Sequence, residues 1–156
     1  TDDGELFDDL IGRGAEIAPD SNAVAKHWAG RDELIIYVTG RPYLLRASTR
    51  RWLDGHRFPF GPLVTTDRMR DVIPTMGGVG EYKTAVLRSL IDAGVVFATA
   101  YGNARTDVCA YAAAGIDPAR TFIYGATPDD PGCGDHPKPK PLASYTDHLR
   151  ELISTR

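Results

Sequence analysis

Three stretches of this chain carry residue types suited to holding an anion. The first is Thr39-Gly40-Arg41, which follows the apolar run Leu34–Val38. Thr39 offers a hydroxyl, Gly40 lets backbone approach a ligand closely, and Arg41 adds a fixed positive charge. The second is Lys83 in "PTMGGVGEYKTAVLRSL", delivered by a glycine loop to the first turn of a helix. Helix amino ends carry free N–H groups and partial positive charge, so a lysine there strengthens an anion site while doing the helix itself no favour. The third is "GNARTD", where Asn103 and Asp107 stand four apart, at a strand end and at the start of the next helix. A side-chain amide oxygen and a carboxylate suit a hard cation such as Mg²⁺, which takes few protein ligands and keeps waters.

Each stretch also has a plain structural reading. Thr39-Gly40 can start a turn, Asn103 can form one, and Asp107 can be a first-turn helix charge. A P-loop is excluded, because the pattern G-x-x-x-x-G-K-[ST] requires glycine before the lysine and Tyr82 stands there.

The elements that must position these residues alternate. Apolar runs at Leu34–Val38, Pro62–Thr66, Val95–Tyr101 and Thr121–Tyr124 read as strands. Asp20-Ser21 can cap a helix that carries Val24 and Trp28 on one face. Further helical patterns run from about Tyr43 to Asp54, with Leu45, Trp52 and Leu53 for the core, and from about Glu81 to Ala93, burying Val86, Leu87, Leu90 and Ile91. Others cover about Thr106 to Ala114 and, after the Pro/Gly-rich "PDDPGCGDHPKPKP", about Leu142 to Ile153. Apolar strands alternating with helices imply an α/β fold with a doubly wound parallel sheet, whose ligands sit at the carboxyl ends of the strands. Residues 1–156 read as a single domain.

Composition narrows the function. With 42% hydrophobic and 25% charged residues the chain is an ordinary globular protein. A net charge of −3 gives no case for nucleic acid, and no apolar run approaches a membrane span. Two cysteines, Cys109 and Cys133, lie outside any metal or redox motif; the expectation is a reduced, cytoplasmic setting with both thiols as bystanders. Cys133 and His136 sit close together but lack the further ligands a zinc site needs. Arg46, Arg50 and Arg51 make a basic helix face, of a kind more often solvated than functional, with peripheral contact to an anionic lipid surface as its second reading.

Thr39 after an apolar strand, Lys83 before a helix, and the Gly-Asn-x-x-x-Asp tip resemble motifs II, III and IV of the haloacid-dehalogenase (HAD) superfamily. More narrowly, "GNARTDVCAYAAAGIDPARTFIYG" resembles the lipin-type module, with motifs II–IV lying within 34–124 and the likeness extending over Gly4 to Tyr124. The resemblance implies a HAD-like Rossmannoid fold and Mg²⁺-dependent hydrolysis of a phosphate monoester, phosphatidic acid in the lipins themselves. By the same resemblance Thr39 bonds the transferring phosphoryl group, Gly40 and Arg41 line the substrate, Lys83 neutralises charge, and Asn103 and Asp107 hold Mg²⁺.

One departure divides the functional expectation. The nucleophile of such enzymes is the first aspartate of D-x-D-G-T at the end of a central first strand. "TDDGELFDDL" shows no such motif: Thr1 stands where the nucleophile belongs and Glu5 where the threonine belongs. The opening reads instead as the loop after that motif, so the first strand is expected upstream of Thr1. The enzyme reading therefore stands beside a second: a lipin-like module without catalytic chemistry that binds phosphatidic acid or another phosphate. A hydrolase of soluble sugar or nucleotide phosphates is the third.

Overall fold

The structure, a computed structural model, describes residues 17–66 and 78–155. The opening "TDDGELFDDL", Asp67 and the loop glycine Gly77 lie outside them. In chain order the described elements are α1 (Ser21–Ala29), β1 (Tyr37–Pro42), a 3-10 turn (Tyr43–Leu45) leading into α2 (Arg46–Gly55), β2 (Leu63–Thr66) and α3 (Gly78–Asp92). There follow β3 (Ala100–Gly102), α4 (Arg105–Ala114), a second 3-10 turn (Pro118–Arg120), β4 (Thr121–Tyr124), β5 (Lys140–Leu142) and α5 (Tyr145–Ser154). The chain is thus a mixed α/β protein whose strands pair in parallel, as continuous apolar runs alternating with helices require. The described strands form two small sheets, β1-β2 and β3-β4-β5, and belong to two compact units, 17–66 with 144–155 and 78–143.

In the first unit β1 pairs with β2 through Tyr37↔Leu63, Val38↔Val64 and Pro42↔Thr66. The register slips between Val38 and Pro42, so Thr39, Gly40 and Arg41 occupy a bulge. This corrects the expected strand Leu34–Val38. The strand starts at Tyr37 and runs on to Pro42, so Thr39-Gly40-Arg41 lies inside it. A tight local bond explains how the chain manages this: the Arg41 N–H donates to Thr39 Oγ1 at 3.1 Å, replacing a ladder bond that the bulge removes.

Val24, Leu53 and Leu63 are buried, and Leu53 shows that the inward side of α2 was readable. Asp20 precedes α1 as expected, but it does not cap through its side chain. Its carboxylate instead accepts the Thr146 hydroxyl of α5 at 2.6 Å, tying α1 to α5.

Tyr37 anchors the start of β1, its hydroxyl donating to the Pro59 carbonyl at 2.6 Å. Burial pushes its pKa up from 10.0 to about 12, with Arg50 opposing and Asp54 adding to the rise. A raised phenol pKa favours the neutral form in the fold. The stability it contributes is therefore complete below about pH 10 and is lost as pH climbs toward 12. Ultraviolet titration should show one tyrosinate appearing near pH 12 that Tyr37→Phe removes; an identical titration in the variant would refute the assignment.

In the second unit β3, β4 and β5 pair in register, with Ala100↔Thr121 and Tyr124↔Leu142 marking the ends. Leu87, Ala100, Ala110 and Ile116 form the core, and Phe97, Tyr111 and Ala114 pack on it. Gly94 and Gly115 close α3 and α4 at φ 96° and 79°, a backbone state glycine enters without strain. Ile91, expected in the core, is 37% exposed.

The expected strand Val95–Tyr101 shrinks to Ala100–Gly102. Its beginning is diverted to closing α3: the Val95 N–H bonds Leu90 O at 2.9 Å, and Val96 is 82% exposed. The expected last helix also loses Leu142, which ends β5 inside the Pro/Gly-rich stretch. Pro141 is tolerated because β5 is the outer strand of its sheet.

The two cysteines are not bystanders. Cys109 of α4 and Cys133 are joined in a disulfide, with Cα atoms 5.1 Å apart across 24 residues of sequence. No motif announces the pair, because the fold rather than the spacing brings helix and loop together. This counts against the reduced setting expected from cysteine usage. Closing a loop of 24 residues is worth about 3 kcal/mol in chain entropy. Cys109→Ser/Cys133→Ser should lower the urea unfolding free energy by roughly that amount, and an unchanged value would show that the bridge does not hold in solution.

Candidate functional site

The residues singled out by sequence fall into one group per unit. In the second unit Lys83 of α3 and Asp107 of α4 meet as an ion pair at 2.6 Å, their side chains only 6% and 8% exposed. Asp107 does more than neutralise the lysine. Its Oδ2 accepts the N–H groups of Asn103 at 3.0 Å and Ala104 at 3.1 Å, satisfying backbone donors at the amino end of α4. One carboxylate thus fixes the ammonium with one oxygen and the β3–α4 turn with the other.

Local sequence makes this possible. Asp107 is the third residue of α4, where a side chain can turn back to the N-terminal N–H groups. Gly102 ends β3 directly beneath it. A Cβ at Gly102 would lie 2.6 Å from Asp107 Cβ, so only glycine permits the approach. Lys83 sits one turn into α3 and is 5% exposed, which removes it from the solvated surface charges.

Sequence reasoning named Lys83, Asn103 and Asp107 as site residues, included Gly102 in the strand-tip pattern without a role, and passed over Thr106. Gly102 carried a readable signal, a glycine at the close of an apolar strand. Thr106 carried none: its hydroxyl is buried and has no hydrogen-bond partner among the described residues.

In the first unit Thr39, Gly40 and Arg41 stand together on the β1 bulge. Thr39 is 2% exposed and Arg41 9%. Besides the Arg41 N–H to Thr39 bond, Arg41 Nη1 donates to Thr49 Oγ1 at 3.1 Å, and Thr49 donates on to Leu45 O at 2.8 Å. The guanidinium therefore anchors β1 to the start of α2. Within its unit this trio forms a largely buried polar cluster.

A cation site can be tested on Asp107. Both of its oxygens accept hydrogen bonds, Oδ1 from the Lys83 ammonium and Oδ2 from two backbone N–H groups, and a metal ion would compete with these donors. Among the described residues no group of three or more His, Cys, Asp or Glu side chains gathers to hold a metal. A metal ion at this corner would meet Asp107 together with these donors or in exchange for one of them.

A buried lysine and an aspartate-locked helix start make a corner suited to holding an anion. Comparison with known proteins gives the family. The family model described as the LNS2 domain of PITM 1-3 matches residues 3–125, and the chain belongs to that family of lipin-like modules. Membrane-associated phosphatidylinositol transfer protein 1 of Homo sapiens is 30% identical over 122 residues, covering 74% of this chain and 9% of the relative. Protein retinal degeneration B of Drosophila melanogaster is 30% identical over 117 residues, with the same coverages of 74% and 9%. Membrane-associated phosphatidylinositol transfer protein 3 of Mus musculus is 26% identical over 117 residues, covering 74% and 11%. The chain spans about a tenth of the length of these curated relatives.

The ion pair makes a quantitative demand. Lys83→Met should leave Asp107 buried without its cation and cost about 3–5 kcal/mol of unfolding free energy. Lys83→Met/Asp107→Asn, which removes both charges, should cost clearly less than the sum of the two single changes. Additive losses in a urea-unfolding double-mutant cycle would show that the two side chains do not pair.

Proposed function

We propose that this chain is an LNS2-type phospholipid-binding module that receives the phosphate-monoester headgroup of an anionic lipid, phosphatidic acid being the simplest. The reading includes a HAD-type doubly wound scaffold, supported by the parallel strand pairings and the helices between them. One observation carries the binding role: Asp107 is spent on holding Lys83 and the α4 amino end, which prepares a fixed ammonium rather than a metal ligand. Family membership supports it, as do relatives whose names describe phosphatidylinositol transfer and membrane association.

Within this reading Lys83 supplies the positive charge and Asn103 a polar group beside the turn. Thr39, Gly40 and Arg41 are a second anion-handling candidate on β1, to be tested by itself. No described helix is long and apolar enough to cross a membrane; the proposed location, drawn from the phospholipid reading, is peripheral, at a membrane surface.

The competing assignment is Mg²⁺-dependent hydrolysis of the same headgroup, with Asn103 and Asp107 as metal ligands. Their placement at one strand-end corner favours it, and it requires Asp107 to release Lys83.

Vesicle sedimentation separates the two. The protein should pellet with phosphatidylcholine vesicles containing phosphatidic acid in preference to vesicles of phosphatidylcholine alone. Lys83→Met and Lys83→Met/Asp107→Asn, each verified as folded, should lose that preference by about tenfold or more. Equal binding to both vesicles would overturn the proposal. So would Mg²⁺-dependent release of inorganic phosphate, which would install the hydrolase.

A further inference from the structure

The outward side of α2 combines features that solvent alone does not reward. Thr49 and Leu53 face inward, 1% and 5% exposed, which turns the opposite side of the helix to the surface. Arg51 is exposed there, Arg46 is exposed at the first residue of the helix, and neither makes an ion pair among the described residues. Just ahead of them in the 3-10 turn stand Leu44 and Tyr43, 80% and 60% exposed. Phe60, 84% exposed, joins the same side, because the Arg50 guanidinium lies over its ring at 5.2 Å. Arg50 Nη2 also donates to the Gly61 carbonyl at 2.8 Å, so the loop that presents Phe60 is fixed to the helix. Asp54 is an acidic residue of α2 that is also exposed.

Protruding Leu and Phe side chains among arginines match the chemistry of an interface between water and anionic lipid. The rings and the leucine enter the headgroup boundary while the guanidiniums meet phosphates. A soluble acidic partner would reward the arginines but not the exposed Phe60 and Leu44. We infer that this face, Tyr43, Leu44, Arg46, Arg50, Arg51 and Phe60, docks the protein onto an anionic bilayer. The inference rests on the phospholipid reading above but asks for negative surface charge only, not for a phosphate monoester. Docking is therefore general where Lys83 is selective.

The test uses the whole chain and vesicles of phosphatidylcholine with phosphatidylserine, which carry charge but no phosphate monoester. The protein should pellet with them, and more weakly as salt is raised. Arg46→Gln/Arg51→Gln should weaken binding about fivefold per arginine. Leu44→Ser/Phe60→Ser, exposed positions whose change leaves the core alone, should weaken it at least about tenfold. The same variant should still bind dihexanoyl phosphatidic acid in free solution, whereas Lys83→Met should keep phosphatidylserine binding and lose only the phosphatidic acid preference. Undiminished sedimentation of Leu44→Ser/Phe60→Ser overturns the docking face and leaves the headgroup proposal standing. Loss of docking in that variant, with phosphatidic acid preference intact in Lys83→Met, supports the face and sinks the headgroup proposal. A wild-type dimer in sedimentation velocity that Leu44→Ser/Phe60→Ser dissolves would instead make the face a contact between copies and overturn the inference.

Discussion

The bond between Lys83 and Asp107 constrains more of the second unit than any other single contact. Two charges taken out of water cost several kcal/mol each, and they repay that cost only if geometry is good and the remaining lone pairs are satisfied. Here both conditions hold. The pair is at 2.6 Å, and the second carboxylate oxygen accepts two backbone N–H groups. Those requirements propagate outward. Asp107 must stand in the first turn of α4, Gly102 must lack a Cβ, and α3 must present its lysine to α4 rather than to solvent. The apolar core of Leu87, Ala100, Ala110 and Ile116 supplies the packing that makes this affordable.

Much of this was legible in the residues because it follows from short-range chemistry. Glycines after α3 and α4 marked helix ends, and β4 ran from Thr121 to Tyr124 as its β-branched and aromatic content demanded. The likeness to a lipin-type module, read from the Gly-Asn-x-x-x-Asp segment and its continuation, extended over nearly the residues the family model matches. What escaped the reading depended on partners distant in sequence. A bulge at Thr39–Arg41 is set by the register against β2, so the strand's own apolar pattern ended too early. The diversion of Val95 into closing α3 shortened β3, and β5 hid in a stretch whose prolines read as loop. Cys109 and Cys133 pair because the chain folds back, which spacing cannot show. Lys83 and Asp107 were both found as site residues, yet their direct pairing was not: an aspartate and a lysine 24 positions apart give no local sign of meeting.

The bulge in β1 illustrates how one irregularity redirects several groups. It frees the Arg41 N–H to bond Thr39 Oγ1, and it sends the guanidinium to Thr49 at the head of α2. Thr49 passes the connection to Leu45 in the 3-10 turn. A strand end that looked like a ligand-binding tip is therefore also the fastener between β1 and the helix that follows it.

Charge bookkeeping separates recognition from attraction. The Lys83–Asp107 pair sums to zero, so from a distance it exerts little pull on an anionic surface. Its value lies at contact, where an ammonium held in one position by a carboxylate needs no reorganisation to meet a phosphate. Long-range attraction has to come from charges that are not neutralised, and on a chain with net charge −3 those must be concentrated locally. In the docking proposal the arginines of α2 are such a concentration, and the exposed Tyr43 and Phe60 rings would convert attraction into adhesion once the surface is reached. A buried neutral pair for selectivity and an exposed cationic face for arrival are complementary solutions to one problem. A protein that relied on such a pair alone would lack long-range attraction, and one that relied on the arginines alone would bind any anionic surface.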